Sequence, residues 1–103
     1  MVYKIIWTNV GLVSLNKNLD FISKKWNKKI VNDFLSRIDY ITKQIESNPH
    51  IFPTSTKFPR YNKVTVHKNV SLFYEVVDSN NVIYIVLVWS NKQNPKKLSS
   101  YFR

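Results

Sequence analysis

The chain has 103 residues, a net charge of +10 and no cysteine. This length predicts one domain over residues 1–103, and the lack of cysteine excludes disulfides and thiolate metal sites and suits the reducing cytoplasm. No apolar run approaches the ~20 residues that span a membrane, and the charge favours a polyanionic partner: nucleic acid, the ribosome or an acidic protein.

The first half of the chain predicts a strand and then a helix. Tyr3 to Trp7 is a short apolar run, and Thr8 or Asn9 can cap the helix that follows it. Apolar residues then recur at spacings of three and four, as on one stripe of an amphipathic helix. The stripe consists of Leu12, Leu15, Leu19, Ile22 and Trp26.

A second helix is predicted directly after the first. Asn27 is its expected cap, and the helix should end near Ser47 because Pro49 disfavours helical geometry in the residue before it. Its apolar stripe consists of Ile30, Phe34, Ile38, Ile41 and Ile45. Since few residues join the two helices, we expect an antiparallel helical hairpin.

The second half of the chain predicts three strands. A proline-bearing connection spans His50 to Arg60, directly after Pro49, and from residue 64 the apolar period changes to two. Two β-branched and aromatic runs follow, at Val70 to Val77 and Val82 to Trp89, and tight turns are expected at residues 68–69 and 78–81. The last run is apolar on both faces, so we place it in the centre of the sheet.

The predicted order is β-α-α-β-β-β, an α+β domain with an antiparallel sheet, an N-terminal strand and a helical hairpin on one face. Several local motifs accompany this order: LNKNLDFI in the first helix, Lys25-Trp26-Asn27 between the helices, Asn48-Pro49, Val70-Ser71-Leu72-Phe73-Tyr74 and Gln93-Asn94-Pro95. In this order and with these motifs, nearly the whole chain resembles the RelE/ParE superfamily of toxins. The resemblance implies a toxin of a type II toxin–antitoxin system that arrests growth and is neutralised by an acidic antitoxin.

Members that resemble RelE cut messenger RNA in the ribosomal A site, whereas members that resemble ParE bind DNA gyrase. The resemblance places the strand lysine of the nucleases at Lys63 and a terminal tyrosine at Tyr101. Their second lysine corresponds to Thr65, and their two arginines correspond to Ser71 and to Asn91, beside Lys92. Because the loss of one preorganised cation costs roughly 10²–10³ in rate, the sequence favours the ParE-like activity.

Further candidates are open to more than one interpretation. If the chain is a nuclease, Arg60 and His67 join the catalytic set of Lys63, Lys92 and Tyr101, and a Glu75–His67 pair is a second arrangement. The basic residues expected to bind an antitoxin or a polyanion are Lys68, Lys96, Lys97 and Arg103. We expect Tyr101 and the neighbouring Phe102 to dock the tail onto the domain, the alternative being that they stack on a base.

Three functions therefore remain: a toxin that binds gyrase, a ribosome-dependent mRNA endonuclease, and a non-toxic basic module that binds nucleic acid. The chain contains no glycine-rich phosphate loop and too few histidines for a metal cluster, so neither a cofactor nor a metal is expected.

Overall fold

The order of the elements agrees with the predicted α+β fold. A computed structural model describes residues 2–25, 27–91 and 95–102, with Lys25 and Pro95 described in their backbone only. The elements are β1 (Lys4–Trp7), α1 (Asn9–Lys25), α2 (Lys28–Ser47), β2 (Asn62–His67), β3 (Val70–Val77), β4 (Val82–Ser90) and α3 (Pro95–Tyr101). The short α3 in the basic tail is an addition to the prediction. Within the described ranges, no helix is both long and apolar enough to cross a membrane.

The four strands form one sheet in the order β1-β4-β3-β2, so β4 is central, as its apolar sequence predicts. One detail differs from the prediction: β1 pairs with β4 in parallel, and the sheet is therefore mixed. The reason is the path of the chain. After β1, the chain continues into α1 in the same direction. Helix α2 then returns to the start of β1, where the Tyr3 amide donates a hydrogen bond to the Glu46 carbonyl. The antiparallel strands β2, β3 and β4 follow, and β4 finally runs alongside β1 in the same direction.

Thr8 directly precedes helix α1, and its hydroxyl accepts a hydrogen bond from the Gly11 amide and donates one to the Ile85 carbonyl. Beyond Ile85, no strand among the described residues pairs with β4 on this side, since β1 ends there. Side chains of α1 take the place of a strand: Ser14 Oγ accepts from the Val88 amide at 2.9 Å, and Asn18 Nδ2 donates to the Val88 carbonyl at 3.2 Å. The backbone groups of Val88 on this buried edge of β4 are thus satisfied by two side chains of α1.

This arrangement rotates α1 from the predicted orientation. The side of the helix that meets β4 carries Gly11, Ser14 and Asn18, and the core receives Leu15, Leu19 and Ile22 beside them. Leu12, predicted to lie in the buried stripe, is 45% exposed. Trp26, the last predicted member of that stripe, lies outside the described residues.

Helix α2 forms as its sequence predicts. Asn27 Oδ1 accepts a hydrogen bond from the Ile30 amide, and the helix ends at Ser47, two residues before Pro49. Four members of its apolar stripe are buried against the sheet: Phe34, Ile38, Ile41 and Ile45. They pack on the inward side chains of β2, β3 and β4, which form the main core.

The connection between α2 and β2 is held to the sheet by Tyr74. The Tyr74 side chain is fully buried, and its hydroxyl donates a hydrogen bond to the Pro49 carbonyl at 2.8 Å. Burial disfavours the phenolate and raises the pKa of Tyr74 to about 12, although a hydrogen bond with the Phe52 backbone acts in the opposite direction.

Tyr74 should make the fold sensitive to alkali. Its pKa is higher in the folded than in the unfolded chain, so its contribution is complete below pH ~10 and is lost as the pH rises towards ~12. We expect the free energy of unfolding to fall by about 2 kcal/mol over that range. Urea unfolding at a series of alkaline pH values measures this.

Two variants test the assignment of this pH dependence. Tyr74→Phe should be much less pH-dependent and keep only the smaller contribution of Tyr3, whose pKa is raised by its hydrogen bond to Asp78. Tyr40→Phe, at a tyrosine that is 63% exposed, should behave like the unaltered chain. Equal pH dependence in the unaltered chain and Tyr74→Phe would refute the assignment.

Candidate functional site

The face of the sheet opposite the helical hairpin carries several of the predicted site residues, among them Lys63 and Tyr101. Here Phe73 of β3 and Leu87 and Trp89 of β4 form a second, smaller core. Helix α3 crosses this face and packs Leu98 and Phe102 against it. We call it the open face, because it is only partly covered.

The tail is docked by its two aromatic residues. The Phe102 ring lies 4.5 Å from the Tyr61 ring, 4.7 Å from Phe58 and 5.0 Å from Phe73, measured between ring centroids. Tyr101 meets Trp89 edge-on at 6.2 Å. Such ring pairs are favourable beyond the area they bury, so the structure agrees with docking as the role of Tyr101 and Phe102 in the free chain.

Lys63 lies on the open face. It stands opposite Phe73 in the register of β2 and β3, its side chain is exposed, and its Nζ lies 5.8 Å from the centre of the Phe73 ring. It lines a cleft of about 300 Å³ together with Ser55, Phe58 and Leu98. Lys63 is therefore accessible to a ligand or a partner protein.

Arg60 lies at the same end of the sheet but is held by an acidic residue. Its Nε donates to Glu75 Oε2 at 2.7 Å, and this hydrogen bond raises the pKa of Arg60 further above its already high value. The Arg60 side chain is 67% exposed, so the pair contributes little to stability. Its main consequence is electrostatic, since Glu75 offsets a charge that a nuclease would direct at its substrate.

His67 lies away from Lys63 and Arg60. Strict alternation along β2 would place it on the side of Lys63 and Thr65, but the register shifts between Thr65 and His67. The ring of His67 instead contacts Phe34 of α2, edge-on at 6.3 Å, on the helix side of the sheet. The predicted nuclease set that joins His67 to Lys63 is thus not assembled.

The alternative pair of Glu75 and His67 is not assembled either. His67 stands opposite Val70 at the start of β3, whereas Glu75 is five residues further along that strand and bonded to Arg60. The described residues also contain no group of three or more His, Asp or Glu side chains that could hold a metal ion.

Two of the positions that correspond to nuclease cations, Thr65 and Ser71, are uncharged neighbours on the open face, and Trp89 of β4 continues the row. Thr65 pairs with Ser71, and Ser71 pairs with Trp89. Ser71 is 1% exposed and Trp89 is 4% exposed. None of these three side chains is charged, so the row itself supplies no fixed cation, although Lys97 lines the cleft beside Trp89.

The remaining basic candidates are dispersed. Lys68 is exposed in the turn between β2 and β3, and Lys96 and Lys97 are exposed on α3. Lys97 lines a cleft of about 170 Å³ with Trp89 and Tyr101. Lys92, Arg103 and the Gln93-Asn94 part of the predicted closing turn lie outside the described residues.

Sequence reasoning missed the surroundings of Lys63. Lys57, Arg60 and Lys63 recur every third residue and alternate with Phe58 and Tyr61. This period corresponds to neither a strand nor a helix, and it is the signal that could have indicated a shared surface. The structure gathers these residues at one end of the open face.

A second surface of interest is the side of α1 that faces away from α2. It exposes Val10 and Val13, which are 44% and 54% exposed. Together with Lys17 and Tyr101 they line an apolar cleft of about 190 Å³. An apolar cleft with a basic rim is a suitable contact for another polypeptide.

Comparison with known proteins identifies relatives of the chain. Residues 5–95 match the family model described as the ParE toxin of the type II toxin-antitoxin system parDE. No curated protein sequence matches at a significant level.

Among solved structures, a mutant of the E. coli toxin RelE in the free state has 15% identity and a TM-score of 0.63, covering 99% of this chain and 95% of that one. The RelBE2 toxin–antitoxin complex from Mycobacterium tuberculosis has 13% identity and a TM-score of 0.61, covering 90% and 95%. A YoeB/ParE toxin from Agrobacterium tumefaciens has 12% identity and a TM-score of 0.61, covering 84% and 96%. At such identities these structures establish the fold alone.

Proposed function

Because the chain belongs to the ParE toxin family, within the RelE/ParE superfamily of type II toxins, we propose that it arrests growth by binding DNA gyrase and not by cutting messenger RNA. The observation that carries this proposal is the uncharged row of Thr65, Ser71 and Trp89 across the open face. Metal-free cleavage of RNA needs a base, an acid and fixed cations around the charged transition state.

The side chains around this row support the same conclusion. Arg60 is paired with Glu75, and His67 packs on Phe34 on the other side of the sheet. Tyr101, the last residue of α3, packs edge-on against Trp89. Lys63 alone cannot supply both proton transfers and the charge stabilisation.

The proposal predicts which substitutions spare the toxin. Lys63→Ala and His67→Ala should each leave growth arrest in an expressing strain unchanged, because neither residue performs chemistry. Lys28→Ala, at an exposed lysine on α2, is the matched control for loss of one positive charge. The endonuclease alternative predicts that Lys63→Ala abolishes toxicity while the protein remains folded, and the basic-module alternative predicts no growth arrest at all.

We further propose an acidic antitoxin as the partner that holds the toxin in check. The matched solved structures include toxin–antitoxin complexes of RelBE2 and of E. coli RelBE. The net charge of +10 draws an acidic chain and speeds the encounter. The exposed side of α1, with Val10 and Val13 beside Lys17, offers apolar area next to a cation, as an amphipathic acidic segment requires.

Val13→Glu should therefore weaken antitoxin binding by about tenfold or more, because it puts a carboxylate at the centre of the contact and repels an acidic partner. Titration calorimetry with the cognate antitoxin measures the change. Leu35→Glu, on the exposed side of α2, is the matched control and should bind normally. Equal loss in both variants, or no loss in Val13→Glu, would move the antitoxin to another surface.

A further inference from the structure

Three cations at one end of the open face each lie over an aromatic ring. The distances from charge to ring centre are 5.7 Å for Lys57 over Phe58, 5.7 Å for Arg60 over Tyr61 and 5.8 Å for Lys63 over Phe73. Distances below about 6 Å allow cation–π attraction. All three cations belong to exposed residues. We call these six residues the basic aromatic surface.

The three rings share one neighbour, Phe102 of the tail. Its ring is nearly parallel to that of Tyr61, with an interplanar angle of 30°, and tilted by 58° to those of Phe58 and Phe73. Phe102 is thus a planar group that stacks on one ring and is held at the side by two others. The structure shows directly that this surface accepts a planar aromatic group.

Clefts open on both sides of Phe58. One has a volume of about 350 Å³ and is lined by Lys57, Arg60, Tyr61 and Phe102. The other has a volume of about 300 Å³ and is lined by Lys57 and Lys63, with Phe73 at its base. One cleft therefore combines its rings with Lys57 and Lys63, and the other combines its rings with Lys57 and with Arg60, whose charge is partly offset by Glu75. Among the described residues, no acidic side chain lines either cleft.

We propose that the basic aromatic surface binds an unpaired polynucleotide strand, with bases stacked on its rings and phosphates beside its cations. Alternation of rings and cations is the arrangement that single-stranded nucleic acid needs, because every base has a face to stack and every phosphate a charge. In the free chain Phe102 occupies the position of a base. Paired bases cannot present their faces to Tyr61, so the surface selects single strands over duplexes.

The inference goes beyond the proposed function, since binding of gyrase requires no contact with nucleic acid. It also differs from the nuclease alternative, because the surface holds a strand without assembling a catalytic set. Binding and cleavage can be measured separately. An intact strand recovered after binding agrees with both proposals, whereas a cut strand would refute the proposed function and leave this inference standing.

The test is fluorescence anisotropy of the purified full chain with labelled single strands of about eight nucleotides, a length that one small domain covers. Oligo-dT, oligo-rU, an abasic strand of the same length, a duplex and poly-glutamate are compared. We expect both homopolymers to bind at least about tenfold more tightly than the abasic strand, because stacking supplies the difference. A preference between oligo-dT and oligo-rU identifies the natural source of the strand.

Variants locate the binding. Tyr61→Leu keeps an apolar side chain but removes the stacking ring, and should weaken binding about tenfold. Phe102→Ala should strengthen it, because the position of the base is vacated. Lys57→Met and Lys63→Met, both at exposed positions, should each reduce the slope of log affinity against log salt by about one. Lys28→Met, at an exposed lysine of α2 on the other side of the sheet, is the control and should bind like the unaltered chain.

Two results would overturn the proposal. Equal affinity for the abasic strand, poly-glutamate and the homopolymers would show a site for any polyanion, including an acidic peptide. Unchanged binding in Lys57→Met and Lys63→Met would place the strand elsewhere, and these two variants keep the test valid even if Tyr61→Leu fails to fold.

Discussion

Replacing Phe34 by alanine is expected to lower the free energy of unfolding by about 3–5 kcal/mol, as is usual for a buried aromatic residue cut back to a methyl group. Phe34 is completely buried between α2 and the sheet, in the main core. Its ring also meets the edge of His67. Loss of the ring leaves a cavity at the point where the helical hairpin is attached to β2.

Urea unfolding followed by tryptophan fluorescence measures this loss, and the neighbouring residue provides the control. Leu35 follows Phe34 on α2 and is 40% exposed, so Leu35→Ala should cost clearly less. A comparable loss in the two variants would mean that α2 presents a different side to the sheet. Because a domain of this size is stable by only about 5–15 kcal/mol, Phe34→Ala should also reduce the amount of folded toxin in cells.

The second large effect is expected at Gly11, the only glycine of the chain. A Cβ at Gly11 would lie closer to the backbone oxygen of Ile85 than real Cβ atoms ever approach another atom. Since that oxygen belongs to the central strand, α1 itself must move away. The movement would weaken the hydrogen bonds of Ser14 and Asn18 to Val88.

We expect Gly11→Val to lower the free energy of unfolding by about 2–3 kcal/mol through overpacking. Gly11→Ala tests whether a side chain at this position stabilises or destabilises the protein. At an ordinary helical position alanine is more favourable than glycine by about 1 kcal/mol, whereas here it should destabilise the protein. Ser23→Val, at an exposed position of α1, is the control for adding a side chain to this helix. If Gly11→Ala raised the free energy of unfolding instead, the backbone of α1 could not lie this close to the Ile85 carbonyl oxygen.

Much of the fold could be predicted because its elements have clear local signals. The stripe of α2, its cap at Asn27 and its end before Pro49 act within a few residues of each other. The apolar sequence of β4 indicated a central strand for the same reason, since both of its faces are covered. In these segments local preference and tertiary packing favour the same structure.

The prediction was wrong where tertiary contacts override the local pattern. The side of α1 that meets β4 carries Gly11, Ser14 and Asn18, so a search for apolar spacing selected Leu12 in their place. The helix α3 is only seven residues long and is held by Phe102, whose partners are distant in sequence. The direction of β1 depends on the path of the whole chain.

For the site, the resemblance selected Lys63 as a candidate, and the structure places it in an exposed position opposite Phe73, while its role stays a prediction. The sequence could not indicate that Arg60 is paired with Glu75, which is fifteen residues away, or that an irregularity in β2 turns His67 towards α2. Both features are decided by how strands pair, and a single irregular residue changes the side on which a side chain lies.

The central claim is that this toxin acts by binding gyrase, and supercoiling by purified DNA gyrase tests it most directly. The folded chain, shown to arrest growth when expressed, is titrated into the reaction with and without its antitoxin. We predict inhibition of supercoiling that the antitoxin reverses and that Lys63→Ala retains. Unchanged supercoiling at a saturating concentration of the growth-arresting protein would contradict the claim.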